Sequence, residues 1–206
     1  MKNYYILLFL FLFSALSYGQ VKGELEVGIG IGSNGGNVNY SENFNDADTN
    51  SSLSIIGSAD YNFANRWSVK TKLIYDTKGW DGGTLYFRGG QLRNADVDLH
   101  YITVPLMLNW HFGGKRNWYL NFGTYWGFLL AAGEETSNAD VKEAFRSTDF
   151  GITFGIGAKI PVTKYLKIYI EYDCQGGLNN IYKDSTIPDV TNIRNALNVG
   201  VNFLVL

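Results

Sequence analysis

The sequence predicts an all-β chain: an eight-stranded antiparallel up-and-down transmembrane β-barrel. Three observations predict it. A strict two-residue alternation of apolar and polar side chains recurs about eight times, which is the period of a strand and not of a helix. The connections between these segments are long and short by turns. The chain also ends on an alternating strand, Ala196 to Leu206, with no polar tail after it, although the ends of soluble chains are usually polar and frayed.

The first residues are set apart from this pattern. Lys2 is followed by an apolar run from Tyr4 to Phe13 and by small residues at Ser17 and Gly19. That is the layout of a secretory signal peptide, 1–19, cleaved before Gln20, with the barrel domain spanning 20–206. The run is shorter than the roughly 20 residues a spanning helix needs. Cys174 is the single cysteine, so no internal disulfide holds the domain. The formal net charge is −2 and no basic cluster stands out, which argues against a nucleic-acid partner.

The strands are read in order. The first, Glu24 to Ser33, sets Leu25, Val27, Ile29 and Ile31 against Glu26 and glycines. The second runs from about Ser52 to Phe63 and the third from about Arg66 to Thr77. The fourth, about Leu99 to His111, puts Ile102, Val104, Leu106, Leu108 and Trp110 on one face. The fifth is Trp118 to Leu130, the sixth Phe150 to Ile160, the seventh Tyr165 to Gln175, and the eighth is the tail. Short connections lie at Ala64 to Arg66, Gly113 to Arg116 and Val162 to Lys164. Long ones cover 34–50, 78–97, 133–147 and 176–192. Strict alternation of the two sizes puts every short turn at one end with both termini, the asymmetry of outer-membrane barrels, whose termini and tight turns are periplasmic. Pro105 cannot donate a ladder hydrogen bond, so a local bulge or a water-bridged gap is expected there, facing the lumen.

Alternation alone does not say which face points inward. A lipocalin-like soluble ligand binder also has eight strands, but its apolar face lines the cavity. Here five alternate apolar residues cover roughly 20–25 Å of height, close to the apolar band of a spanning barrel. Two aromatic girdles bracket that band: Phe63, Trp67, Trp110 and Trp118 beside the short turns, and Tyr75, Trp126, Phe128, Phe150 and Tyr172 toward the long loops. The other face carries glycines and mixed charge: Glu24, Glu26, Asp60, Asp76, Glu171 and Asp173 against Lys70, Lys72, Lys159 and Lys167. Inside a narrow barrel, glycines leave room for long side chains that pair and fill the lumen, so an open diffusive pore is not expected.

The last strand must pair with the first, because an open sheet edge in lipid leaves backbone groups unsatisfied. Asn198, Gly200, Phe203 and Val205 resemble the closing-strand signal of outer-membrane barrels, which implies that the barrel-assembly machinery reads this strand. Leu206 departs from the aromatic ending of many such barrels. The stretches YITVPLMLNWHFGGKRNWYLNFGTYWGFLLAA, from Tyr101, and DFGITFGIGAKIPVTKYLKIYIEYDCQGGLNNI, from Asp149, resemble the PorT-like outer-membrane β-barrel family. The resemblance rests on the Val104-Pro105-Leu106 step, the Gly-rich aromatic fifth strand, the Asp149-Phe150-Gly151 start and the closing strand. It implies an eight-stranded barrel in the outer membrane and fixes no activity. The namesake serves a secretion system, and no residue here is specific to that role.

Little in the chain points to chemistry. Neither His100 nor His111 is followed two residues on by Ser, the arrangement of barrel-borne lipid A deacylases. His100 falls on the lipid side by parity, and His111 abuts a short turn. Cys174 reads as a small lipid-facing hydrophobe. No metal-ligand spacing involves His or Cys. Glu42, Asp46 and Asp48, and Glu134, Glu135 and Asp140, read as solvated loop carboxylates. Val27 to Gly32 imitates a nucleotide-loop string but sits inside a strand. The expectation is therefore a non-enzymatic barrel without cofactor or metal, in contact with outer-membrane lipid. It is structural, adhesive or accessory to an envelope complex through its outer loops. A transport or secretion component is the alternative.

Overall fold

In the computed structural model, which describes residues 22–40, 47–86, 92–135, 137–186 and 188–205, backbone pairing closes on itself. The strands are β1 (Leu25–Tyr40), β2 (Asn50–Ala64), β3 (Trp67–Tyr86), β4 (Leu92–Phe112), β5 (Trp118–Glu134), β6 (Ala139–Asp140), β7 (Thr148–Pro161), β8 (Leu166–Gly177) and β9 (Val190–Leu204). Each of the eight long strands pairs antiparallel with its neighbours in sequence order, and β9 pairs with β1 from Glu26–Leu204 to Tyr40–Val190. The tail thus ends as a wall strand, and no wall strand is left as an edge. The two-residue β6 lies beside the top of β5. Among the described residues, no helix is long and apolar enough to cross a membrane.

The alternation sorts the two faces as the sequence predicts. Leu53, Ile55, Leu73, Leu106, Ile152, Ile170 and Leu197 are exposed on the outer wall. The soluble reading, with the apolar face inward, is therefore overturned. Inward glycines make room for rings: a Cβ at Gly157 would strike the Tyr119 ring, and one at Gly30 the Tyr169 hydroxyl. Gly123 is limited by backbone instead, since a Cβ there would sit 2.8 Å from Met107 Cα across the β4–β5 seam. Gly123→Ala is expected to cost about 1–3 kcal/mol, as overpacking does. The check is the urea midpoint of the barrel folded in lipid vesicles, and an unchanged midpoint would show that the seam yields freely.

The structure corrects the strand ends. Much of 34–50 and 78–97, expected as loop, is strand: β1 runs on to Tyr40, β3 to Tyr86, and β4 starts at Leu92. The connections at 135–147 and 178–189 remain, the former with a 3-10 turn at Lys142–Ala144. The physical reason is that a strand need not stop at the lipid boundary. Its hydrogen bonds continue upward while its side chains change character. β3 bends where it leaves that boundary. Gly79 takes φ 130°, and a Cβ there would strike the Val97 carbonyl. The β3–β4 register then shifts between Trp80 and Gly83.

Pro105 faces inward as expected, and of the two expected forms it makes a gap in the β3–β4 pairing and not a bulge. It stays in register with Tyr125 of β5. On the β3 side, pairing passes from Thr71–Leu106 to Ile74–Thr103 without a shift, and Thr71 Oγ1 donates to the Pro105 carbonyl at 2.9 Å. A proline costs the ladder one donor, and here the wall absorbs that loss without an extra residue. The predicted signal peptide, 1–19, lies outside the described residues.

Candidate functional site: a filled lumen under a capped mouth

Inward side chains build three stacked charge clusters. Near the turn end, Lys159 Nζ lies 2.6 Å from Glu26 and 2.7 Å from Asp60, and Lys167 reaches Glu26 at 2.5 Å. At mid-height, Glu171 binds Lys70 at 2.6 Å and also Lys72, which lies 2.8 Å from Asp173. Arg194 then joins Asp173 at 2.7 Å to Asp76 at 2.9 Å, and its second terminal nitrogen donates to Asn34 at 2.9 Å. Toward the loop end, Lys78 lies 2.9 Å from Asp149, which also accepts from Asn192 at 3.0 Å and from the Tyr125 hydroxyl at 3.2 Å.

Every one of these charges is buried. Six cations, Lys70, Lys72, Lys78, Lys159, Lys167 and Arg194, meet six carboxylates, Glu26, Asp60, Asp76, Asp149, Glu171 and Asp173. An unpaired ion this deep would cost several kcal/mol, so the balance is a condition of folding. The rings add to it: Lys78 sits 4.2 Å over the Tyr125 ring and Lys70 4.8 Å over Tyr119.

The network gathers most of the predicted lumen residues. Glu24 is the departure. It precedes β1, is only half-buried, and its backbone carbonyl accepts from Asn62 at 2.9 Å. Arg194, Lys78 and Asp149 were missed. They fell in or beside stretches read as loop, and only the continued strand parity would have placed them inward. His111 was also missed as a lumen residue. Its Nε2 lies 2.9 Å from Ser68 Oγ, a base-and-hydroxyl contact between strands that no sequence spacing reveals. Both residues are fully buried, and Nδ1 has no partner to orient the ring. His100 faces outward and stacks on Tyr75, with centroids 6.3 Å apart.

The predicted girdle residues all stand on the outer wall. Phe63, Trp67, Trp110 and Trp118 ring the turn end, with Trp67 opposite Trp110 and Trp118 opposite Phe112. Tyr75, Trp126, Phe128, Phe150 and Tyr172 ring the other boundary, where Trp126 and Phe150 meet with centroids 5.5 Å apart. Of the closing-strand residues, Asn198 and Gly200 point inward, Phe203 points outward, and Val205 follows the last paired residue. Cys174 faces the lipid side, half-buried.

Above the second girdle the pattern inverts. The apolar residues Val38, Tyr40, Trp80, Leu85, Val97, Leu99 and Tyr101 point inward, while Asp96, Asp98 and His100 point outward. The two long loops lie over this core. Phe145 and Tyr182, both fully buried, stack 4.8 Å apart. Arg146 N donates to the Ile181 carbonyl at 2.7 Å and Lys183 N to the Ala144 carbonyl at 3.0 Å. The loops thus clasp each other as a short ladder across the mouth. Burial pushes the Tyr182 phenol well above its ordinary value.

The loop carboxylates divide. Glu134, expected to be solvated, is instead buried at the top of β5, with Arg93 3.6 Å away. Glu42 and Asp46 lie outside the described residues. Asp48 pairs through its backbone with Asp81, and Asn50 donates to Asp81 at 3.0 Å and to Asp98 at 2.9 Å. Asp98 in turn raises exposed Glu135 above the usual carboxylate value, with some burial and with Asp81 and Asp96 adding to it. The folded chain therefore binds this proton at higher pH than the unfolded chain does. The stability linked to it is present below the ordinary carboxylate value and is lost as pH rises through the raised one. A carboxyl-detected NMR titration should find Glu135 above a reference glutamate, and Asp98→Asn should bring it down. An unmoved midpoint in that variant would remove Asp98 as the cause. Among the described residues, no group of His, Cys, Asp and Glu is arranged to hold a metal ion.

A closed ring of eight strands, apolar outside and ion-paired inside, defines an integral barrel of the outer membrane. The chain belongs to the outer membrane protein beta-barrel domain family, whose sequence model matches residues 17–183. The fold is similar to that of the outer membrane protein OprG from Pseudomonas aeruginosa, with a TM-score of 0.57 and 11% identity over 91% of this chain and 98% of that one. It is also similar to Neisserial surface protein A, with a TM-score of 0.53 and 13% identity over 87% and 96% of the two chains. No curated protein matches the sequence. The family match is to outer-membrane barrels in general, which is coarser than the PorT-like resemblance.

Proposed function

We propose that this barrel works through its loop end, as a structural or adhesive element or as an accessory in an envelope complex, and not as an open pore. One observation carries the reading: the lumen is filled by a charge-balanced network and its mouth is crossed by two clasped loops. Such an interior leaves the protein's outer surfaces to make its contacts. The turn end, with both termini, faces the periplasm. No catalytic role is assigned, since the Ser68–His111 contact is sealed inside the wall. The PorT-like affiliation is our finer placement within the family, carried by the stretch from Tyr101 onward. In the same reading, assembly machinery recognises Asn198, Gly200, Phe203 and Val205 on the closing strand.

The test has two parts. Purified protein in planar bilayers should give no stepwise conductance, and steady channels in the wild type would replace the reading with transport. Crosslinkers placed at Arg93 and Lys183 in intact cells should then capture a discrete protein partner. Capture of none, from either position, would leave a purely structural barrel and remove the adhesive and accessory roles.

A further inference from the structure

The two ends of the barrel differ in charge. Outside the lumen, the described charges of the turn end are Lys22, Arg66, Lys115, Arg116 and Lys164 against Glu24. Two of the cations form a built corner. Arg116 Nη1 donates to the Asn65 carbonyl at 2.8 Å, and Arg66 Nη1 reaches the His111 carbonyl at 3.5 Å. His111 N donates back to the Arg66 carbonyl at 2.8 Å. Two neighbouring turns are thus stitched together through their arginines, and each planar guanidinium keeps most of its five donors. Arg116 also adopts φ 56°, the left-handed region where Gly or Asn fits with less strain. Arg116 is tied to the carbonyl of Asn65, the chain neighbour of Arg66, so the two arginines cross one seam between the turns from opposite sides.

What borders this corner decides its partner. Trp67 follows Arg66 directly, lies opposite Trp110, and shares the outer wall with Trp118. Indole rings settle at the headgroup level of a bilayer, so the guanidiniums just beyond them stand at the depth of the lipid phosphates. Guanidinium pairs with phosphate through two parallel hydrogen bonds.

We propose that Arg66 and Arg116, above the Trp67–Trp110–Trp118 wall, form a binding site for the phosphate of an anionic phospholipid headgroup. The proposal rests on the outer wall facing lipid and not on which way the barrel points. The acyl chains lie along the indoles, and the phosphate bridges the two turns.

The test is native mass spectrometry of the detergent-folded chain titrated with phosphatidylglycerol or phosphatidylcholine. Phosphatidylglycerol should bind more tightly. The Arg66→Gln/Arg116→Asn double variant, in which Asn suits the φ of position 116, should lose that preference and bind about thirtyfold more weakly. Lys164→Gln, on another turn, should change affinity less than twofold. Each variant must first shift on unboiled gels, which separates failure to fold from failure to bind. Equal binding of the two lipids would overturn the proposal, as would an unaffected double variant or an equal loss in Lys164→Gln. Displacement of the lipid by millimolar inorganic phosphate would show a free-anion site in its place.

Discussion

Arg194→Met is expected to destabilise the barrel by about 3–5 kcal/mol, because it strands buried carboxylates without a partner. Arg194 bridges two buried carboxylates of the mid-height cluster: it holds Asp173 at 2.7 Å and Asp76 at 2.9 Å, and donates to Asn34. The two acids are not equally exposed to its loss. Asp173 keeps Lys72 at 2.8 Å and an Asn198 donor at 2.8 Å. Among the described residues, Asp76 keeps only the Thr103 hydroxyl at 2.9 Å. The greater part of the cost therefore sits on Asp76, and adding Asp76→Asn to Arg194→Met should recover most of it. Reversible urea unfolding in lipid vesicles reads both numbers. If the double variant is no more stable than the single one, the cost lies in lost packing of the arginine and not in charge.

The same residues show what the sequence could carry. Lys70, Lys72, Glu171 and Asp173 lie in the middle of long alternating runs, where parity is unambiguous, and all four meet in the lumen. Arg194, Lys78 and Asp149 lie where the runs change character. β9 begins at Val190, six residues before the apolar alternation of the tail becomes plain, because its upper outer face is Thr191, Ile193 and Asn195. Lipid contact makes a strand visible in sequence, and a strand that has left the lipid loses that mark.

The signal that was present is a phase flip. In β4, apolar residues occupy odd positions from Ala95 to Tyr101 and even positions from Ile102 to Trp110. The flip coincides with the level at which β5 bulges opposite His100 and Tyr101. Below it, apolar side chains face lipid and polar ones face the lumen. Above it, the wall stands in water and the ordinary soluble rule returns, with apolar side chains inside. β1 flips likewise between Ile31 and Val38. Position of the membrane boundary was thus legible in principle. The clasp between the loops was not, since Phe145 and Tyr182 stand 37 residues apart, each in a segment without period.

That clasp gives the second large effect. Phe145→Ala removes a fully buried ring that touches Trp80, with centroids 6.1 Å apart, and Tyr182 at 4.8 Å. Truncations of this kind cost about 3–5 kcal/mol. The loss should not spread to the whole barrel, because the wall strands hold one another through their own ladders and the ion pairs lie below. It should appear as local opening of the two loops. Hydrogen exchange at Arg146 N and Lys183 N, whose bonds to Ile181 and Ala144 form the clasp, should then accelerate about a hundredfold or more. Exchange at Tyr125 and Gly155 in the wall should hold steady, and the unboiled gel shift should persist. Tyr182→Phe keeps the ring stack and removes only the acceptor for the Tyr86 amide, 3.4 Å away, so its effect should be small. If the loop amides in Phe145→Ala exchange as in the parent, the mouth is held by something other than this stack. If the wall amides accelerate with them, cap and barrel unfold as one unit, and the loop end could not rearrange for a partner without loosening the membrane-spanning ring.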